Sequence, residues 1–311
     1  FCDITWPDGT PFDGDSRQLL KNDIADAEKA GCSFRFGAEL EFYLFELDER
    51  GKPTKIPCDE AGYMDIAPDD RGENIRREIC LTLEQMGITP ESSHHEGGPG
   101  QNEIDFRYSD PLTAADNAVT FCAVVKTIAS RNGIAADFSP KPLEDRPGNG
   151  MHVNFSVKGS DDRSIMPSAI AGVLENAADM TVFLNTTEKS YERLGQDKAP
   201  RYISWSAENR SQLIRIPAAF GDSKRAELRS PDPCANPYIV YTLMIYAGLD
   251  GISKQLELPP AVDINLFTTE PEILSSLRRL PASLEQAQAA ARESSFIRTH
   301  LPERIVSAYT K

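Results

Sequence analysis

The sequence predicts an α+β chain: a large, curved antiparallel β-sheet with helices packed on its outer face and a polar concavity on the other. Three observations lead there. Four segments, at 34–47, 103–108, 151–157 and 224–230, alternate apolar and charged side chains with the two-residue period of a strand. Stretches with helical spacing run between them. Each strand keeps one face apolar and one face charged, which a sheet covered by helices on one side satisfies. At 311 residues the chain is long enough to bury a large core.

Taken in order, residues 1–5 read as a strand, followed by a Pro7-Asp8-Gly9 turn. Ser16 offers a helix cap, and a helix over 17–30 stops at Gly31. In the strand over 34–47, Leu40, Phe42 and Leu44 share one face while Glu39, Glu41 and Tyr43 share the other. Residues 50–71 are polar and rich in Pro and Gly, a long excursion. A helix over 74–86 closes at Gly87. The stretch from His94 to Asp105 then sets Glu96 and Glu103 on either side of a Gly97-Gly98-Pro99-Gly100 turn. Glu103, Asp105 and Arg107 face away from Ile104, Phe106 and Tyr108.

Asp110-Pro111 breaks that strand, and a long helix over 112–132 ends at Gly133. Residues 135–142 are extended, and a loop over 144–150 leads into the strand over 151–157, with His152, Asn154 and Ser156 on one face. A helix is expected over 168–184, and two short strands within 200–217 around Asn209-Arg210-Ser211. In the strand over 224–230, Arg225, Glu227 and Arg229 oppose Ala226 and Leu228. Helices over 238–252 and 284–299 complete the chain, which carries no repeat or low-complexity tract.

The net charge of −15 argues against nucleic acid, whose phosphates select basic surfaces, and against an anionic membrane. An acidic protein that handles anions needs bound cations. The six cysteines contain no C-x-x-C pair, which argues against zinc and a disulfide framework and for a reduced, cytoplasmic setting. The longest apolar run, over 238–249, falls short of the roughly 20 residues that span a bilayer, and no signal peptide is recognised. The opening Phe1-Cys2-Asp3-Ile4 reads like mid-strand sequence.

The charged faces carry Glu39 and Glu41, Glu103 with Glu96 before it, His152, and Glu227 between two arginines. Taken singly, each has a plain alternative: a wet strand face, a hydrogen-bonded structural histidine, a surface ion-pair ladder. Taken together they crowd carboxylates into one concavity, where repulsion must be offset by protons or cations. Carboxylate oxygens with one imidazole suit Mg²⁺ or Mn²⁺ better than zinc, and two such ions clamp phosphate oxygens. Arg193, Arg210, Arg215, Arg225 and Arg229 add bidentate donors for phosphate or carboxylate. Metals plus arginines point to phosphoryl transfer. With neither a P-loop nor a usable G-x-G-x-x-G, any nucleotide must be held by the metals and sheet side chains.

Ordered motifs over roughly 34–252 resemble the catalytic domain of bacterial-type glutamine synthetase. They are Gly37-Ala38-Glu39-Leu40-Glu41-Phe42, Glu96-Gly97-Gly98-Pro99-Gly100-Gln101-Asn102-Glu103, Pro140-Lys141-Pro142, Gly150-Met151-His152, Asn209-Arg210-Ser211, Arg215-Ile216-Pro217 and Arg225-Ala226-Glu227-Leu228-Arg229. The resemblance implies that Glu41, Glu96 and Glu103 hold the ion of the amino-acid site, and Glu39, His152 and Glu227 the ion on the ATP phosphates. It implies that Arg193 takes the substrate α-carboxylate and that Arg210 and Arg215 flank the transferring phosphate. Arg229 is matched to the side-chain carboxylate, Ser156 to the nucleotide, and Gly148 to the substrate loop. The implied reaction makes a γ-glutamyl phosphate from ATP for attack by ammonia, in a ring homo-oligomer with sites between subunits.

Residues 1–15 are expected to be the end of a mostly absent N-terminal domain, and 16–311 the catalytic domain. In the resembled family that absent domain supplies an acidic residue to the neighbour's ammonia site. Two positions depart from the family pattern. Pro147 replaces a substrate-loop asparagine; Lys198 replaces a flap glutamate in a loop one residue shorter, where Asp197 is the alternative. Those departures leave open a γ-glutamyl ligase for a larger amine, or a non-catalytic nucleotide-binding homologue.

Overall fold

A computed structural model describes residues 1–160, 164–218 and 225–311. The chain runs α1 (Ser16–Lys29), β1 (Cys32–Leu47), β2 (Pro53–Pro57), α2 (Glu73–Gln85), β3 (Pro90–His95), β4 (Gln101–Phe106), α3 (Pro111–Arg131), β5 (Ile134–Asp137) and β6 (Met151–Gly159). It continues α4 (Met166–Leu184), α5 (Glu188–Arg193), β7 (Trp205–Ser206), β8 (Ile214–Arg215), β9 (Ala226–Leu228), α6 (Pro237–Ser253), α7 (Pro271–Ser275), α8 (Leu284–Glu293), α9 (Ser295–His300) and α10 (Glu303–Tyr309).

One open sheet holds all the described strands in the order β3-β4-β1-β6-β9-β8-β7, with β2 and β5 also paired to β1. Every pairing is antiparallel except β7 with β8, so the sheet is mixed rather than purely antiparallel. β1 is the spine. Its first half pairs β6 from Cys32↔Gly159 to Leu40↔Met151, while Glu39–Tyr43 pairs β4 on the opposite edge.

The apolar face of β1 explains its place. Phe34, Phe36, Ala38, Leu40, Phe42 and Leu44 are all buried, and Phe36 stacks on Tyr241 of α6 at 4.5 Å. Phe42 and Phe121 of α3 flank Phe138. α4 and α6 meet backbone to backbone, which only glycine allows: a Cβ on Gly172 would lie 2.0 Å from the Ala247 carbonyl oxygen. α3 has the length and composition to cross a bilayer, yet Ala115, Phe121, Val125 and Ala129 are packed into this core.

Several expected elements differ. Residues 1–5 form no strand; a single bridge, Thr5↔Pro11, is made, and among the described residues no strand lies alongside to complete a ladder. The cap of α1 is Asp15 rather than Ser16, its carboxylate accepting from the Arg17 and Gln18 amides. The extended segment shortens to β5 because Asp137 turns the chain, accepting from the Ser139 amide at 2.7 Å. The helix expected over 284–299 breaks at Ser294, whose hydroxyl caps α9. The last strand narrows to β9, and Lys224 lies outside the described residues.

Candidate active site

Sheet register assembles the polar face. Glu41 sits opposite Glu103; Glu39 sits between Asp105 on β4 and His152 on β6; Glu227 sits between Asn154 on β6 and Arg215 on β8. The named side chains therefore share a row across β4, β1, β6, β9 and β8. All of them but Asn154 line a cavity of about 450 Å³, which also takes in Glu96, Gly148, Arg193, Arg210 and Arg229. Of the residues expected from sequence, Ser156 and Arg225 lie elsewhere. They line an adjoining cavity of about 300 Å³, with Arg35 and Tyr108, and Glu39 and Asp105 border both.

The Glu96–Glu103 turn is held from below. The Asp59 carboxylate accepts from the Gly100 amide at 2.8 Å and meets His95 Nε2 at 3.0 Å, while His95 Nδ1 lies 2.7 Å from the Glu96 carbonyl oxygen. Burial works against charge on Asp59, but hydrogen bonds from His95, Gly100 and Arg71 hold its carboxyl well below the usual range. Burial likewise opposes charge on His95, yet Asp59 raises it. Asp70 is paired with Arg76 at 2.6 Å. Asp59, Asp70 and His95 thus have ligand-like spacing, but Asp59 and His95 bond to each other and Asp70 is paired with Arg76, and they read as a structural brace.

The concavity is different. Donor atoms of Glu39, Glu103 and His152 fall within 4.8 Å of one another, as do those of His94, Glu96 and Glu103. His94 was missed by sequence reasoning. Its polar segment hid β3, and only the hairpin register, His94 opposite Glu103, brings its Nε2 to 3.2 Å from that carboxylate. Asp105 was seen to share the face of Glu103 but was given no role; its Oδ1 is buried without a partner. Burial and Glu96 push the Glu41 carboxyl up to about 7, and burial with Glu103 and Glu39 pushes Asp105 to about 9. Glu103 is raised by burial and by Glu41, and His152 is held well below its usual value by burial and Arg229. Oxygen-rich donors starved of positive partners fit a hard divalent cation.

The arginines divide by task. Arg229 donates to Glu227, and Arg215 Nε lies 3.2 Å from the other oxygen of that carboxylate. Arg193 is buried and donates to the Ser230 and Arg229 carbonyl oxygens at 2.9 and 3.2 Å. Gly148 has to be glycine here, since a Cβ would meet the Pro140 carbonyl oxygen at 2.4 Å and Arg193 Cγ at 2.8 Å. Glu41 is fixed by the Gly150 amide at 2.7 Å. Across the cavity Lys198 Nζ stands 4.7 Å from the centre of the Tyr63 ring.

Comparison with known proteins decides the family. The model of the glutamine synthetase catalytic domain matches residues 13–311. The chain belongs to the glutamine synthetase family. It is 45% identical to the glutamine synthetase of Clostridium saccharobutylicum over 323 aligned positions, covering 99% of this chain and 73% of that one. The solved structure "GmaS/ADP complex-Conformation 1" superposes with a TM-score of 0.88 at 29% identity, covering 99% of this chain and 74% of the other. Plasmodium falciparum glutamine synthetase, at 24% identity and TM-score 0.84, shares the fold, covering 99% and 77%. The chain is accordingly an enzyme of the glutamate–ammonia ligase family, whose members use ATP and divalent metals and assemble as oligomers.

Proposed function

We propose that this protein joins an amine to the γ-carboxylate of glutamate or a close analogue at the expense of ATP, working as a homo-oligomer with residues 16–311 as its catalytic domain. The observation that carries the reading is the row of Glu41, Glu103, Glu39, His152 and Glu227 facing four arginines across one cavity. A γ-carboxylate oxygen attacks the terminal phosphorus of ATP, and the bond to ADP breaks. The amine nitrogen then attacks the acyl carbon of the resulting acyl phosphate; its carbon–oxygen bond breaks, phosphate leaves, and the nitrogen sheds a proton.

Glu41, Glu96 and Glu103 would hold one Mg²⁺ or Mn²⁺ and Glu39, His152 and Glu227 another, with His94 available to the first set. When bound, these ions supply positive charge against phosphate oxygens. Arg210, Arg215 and Arg229 spread further charge over the phosphoryl group, as such transfers require. Arg193, with two of its N–H groups on backbone carbonyls, offers the rest to the α-carboxylate, and Gly148 leaves that carboxylate room. Ser156 and its adjoining cavity would take the nucleoside part, and the ADP of the GmaS complex supports a nucleotide on this fold. The net charge of −15 favours small-molecule partners over nucleic acid or an anionic membrane.

A larger amine in place of ammonia is a second reading, motivated by Lys198: it stands beside Tyr63 on the cavity wall, where the resembled family carries a glutamate that serves ammonium. Phosphate release from Mg-ATP or Mn-ATP with glutamate, compared across ammonia, hydroxylamine and a panel of amines, tests the reading. Release with at least one amine is expected, and release only with a bulky one selects the larger acceptor. Nucleotide binding with no release in any arm would overturn the ligase reading in favour of a non-catalytic homologue.

A further inference from the structure

Lys141 lies in the Pro140-Lys141-Pro142 motif, outside the cavity lining, and its side chain is only 3% exposed. A buried ammonium carries three N–H donors and must spend them on oxygens. Lys141 Nζ lies 2.7 Å from the Arg146 carbonyl oxygen, 3.3 Å from Gln196 Oε1 and 3.5 Å from Asp197 Oδ2. The first oxygen belongs to the loop carrying Pro147 and Gly148, the other two to the loop carrying Lys198 and Ala199. Those residues line the cavity, so one buried cation joins two of its walls.

The second loop needs such a tie. Asp197 and Lys198 hold φ of 45° and 71°, the left-handed region that non-glycine residues occupy at a cost. Within the loop only the Gly195 amide to the Ala199 carbonyl, at 3.0 Å, and the Ala199 amide to the Gln196 carbonyl, at 2.8 Å, close the turn. From outside, Lys141 reaches Asp197, Arg229 reaches the Lys198 carbonyl oxygen at 3.5 Å, and Tyr63 receives the Lys198 ammonium. The first loop is anchored separately, by Tyr43 Oη on the Pro147 carbonyl at 2.7 Å and by Gln101 Nε2 on the Gly148 carbonyl at 3.1 Å. Lys141 is the contact that sets one loop against the other.

We propose that Lys141 is a positioning residue that fixes the 195–199 loop against the 146–148 loop, closing the cavity so that the amine rather than water reaches the acyl phosphate. The inference rests on the ligase reading above. When the tie is lost, water attacks the acyl phosphate in place of the amine, returning the acid and inorganic phosphate.

The test uses the intact protein with Lys141→Met, Lys141→Arg and Gln196→Ala. Hydrogen exchange, read on peptides covering 146–148 and 195–199, should rise in both segments for Lys141→Met and fall back towards wild type for Lys141→Arg. Gln196→Ala, which leaves the Arg146 contact in place, should raise exchange in 195–199 alone and keeps the test open should Lys141→Met fail to fold. In turnover, phosphate released should match amide formed in the wild type and exceed it severalfold in Lys141→Met. Amine-dependent kcat/KM should fall about 100-fold, the size that a misplacement of about 1 Å carries, with nucleotide Kd within about twofold. Unchanged exchange in either segment for Lys141→Met, or phosphate and amide falling together with a lowered melting point, would overturn the proposal. Absence of phosphate release from the wild type sinks the ligase reading instead, and the exchange experiment still decides the tie.

Discussion

Removing divalent cations should make this protein less stable, and increasingly so as pH rises. Burial and Glu96 set the Glu41 carboxyl at about 7 in the cation-free fold, against 4.5 for an ordinary glutamate. A group whose folded value is raised binds more protons folded than unfolded between those two values, so stability is lost as pH climbs through that window. At about 1.4 kcal/mol for each pH unit, Glu41 alone accounts for about 3 kcal/mol, all of it lost above pH 7. Glu103 and Asp105 act in the same direction, and Asp105 carries the window to about 9. A bound divalent cation cancels this penalty, and protons cease to compete with it as pH rises. For a chain of this size about 3 kcal/mol is about 5 °C of melting temperature. The assay is calorimetric melting with Mg²⁺ or Mn²⁺ against chelator at matched ionic strength, from pH 5 to 8.5. Asp23 and Asp232 are also raised, to about 7 and about 6, but lie off the cavity lining and cancel between the arms. The gap should widen with pH by at least several degrees. A gap that is flat or narrows refutes the clustering of these carboxylates around a cation site.

Other expected outcomes follow from single contacts. Glu227→Gln strips the counter-charge from Arg215 and Arg229, so it should cost about 3 kcal/mol of stability and at least about tenfold in Mn²⁺ affinity, read by melting and titration calorimetry. Unchanged Mn²⁺ affinity would count against its place among the ligands. Gly148→Ala forces the Pro140 carbonyl and Arg193 apart, and kcat/KM for the acid should fall about 100-fold while nucleotide Kd holds in equilibrium dialysis. Tyr43→Phe deletes the hydrogen bond to the Pro147 carbonyl, about 1 kcal/mol, and should raise KM for the acid about fivefold with little change in kcat.

Much of the site could be read in the sequence because the strand period is two. Once Leu40 and Phe42 are assigned to the core, Glu39 and Glu41 must face the other way, and the same logic places His152 and Glu227. Where that signal lapses, so did the reading. β3 is Pro-Glu-Ser-Ser-His-His, with no apolar alternation, so neither the strand nor the approach of His94 to Glu103 could be seen. β7 and β8 are two residues each, too short for a pattern, and their parallel pairing depends on the chain between them. Glu39 and Asp105 border two cavities because β1 and β4 run past both, a consequence of sheet extent that no local motif encodes.

Spacing alone also cannot separate a candidate metal site from a brace, and this molecule has a cluster of each kind within a few residues of chain. Asp59 and His95 are as buried as Glu103, and with Asp70 they have comparable ligand spacing. The difference lies in supply of donors. Asp59 receives N–H groups from Arg71 and Gly100 as well as His95, and its carboxyl is held low; it is content as an anion without any ion. Glu103 and Asp105 face other carboxylates, and their carboxyls are pushed up; as anions they are unfavourable until positive charge arrives. A fold selected for stability alone would fill such a row with apolar residues or pair each acid with a backbone amide, as it does for Asp59. Glu103 and Asp105 are left short of donors, and Glu41 has its Gly150 amide but faces Glu96; a bound cation would offset that cost, and the same shortage fixes the sign of the pH-dependent melting expected above.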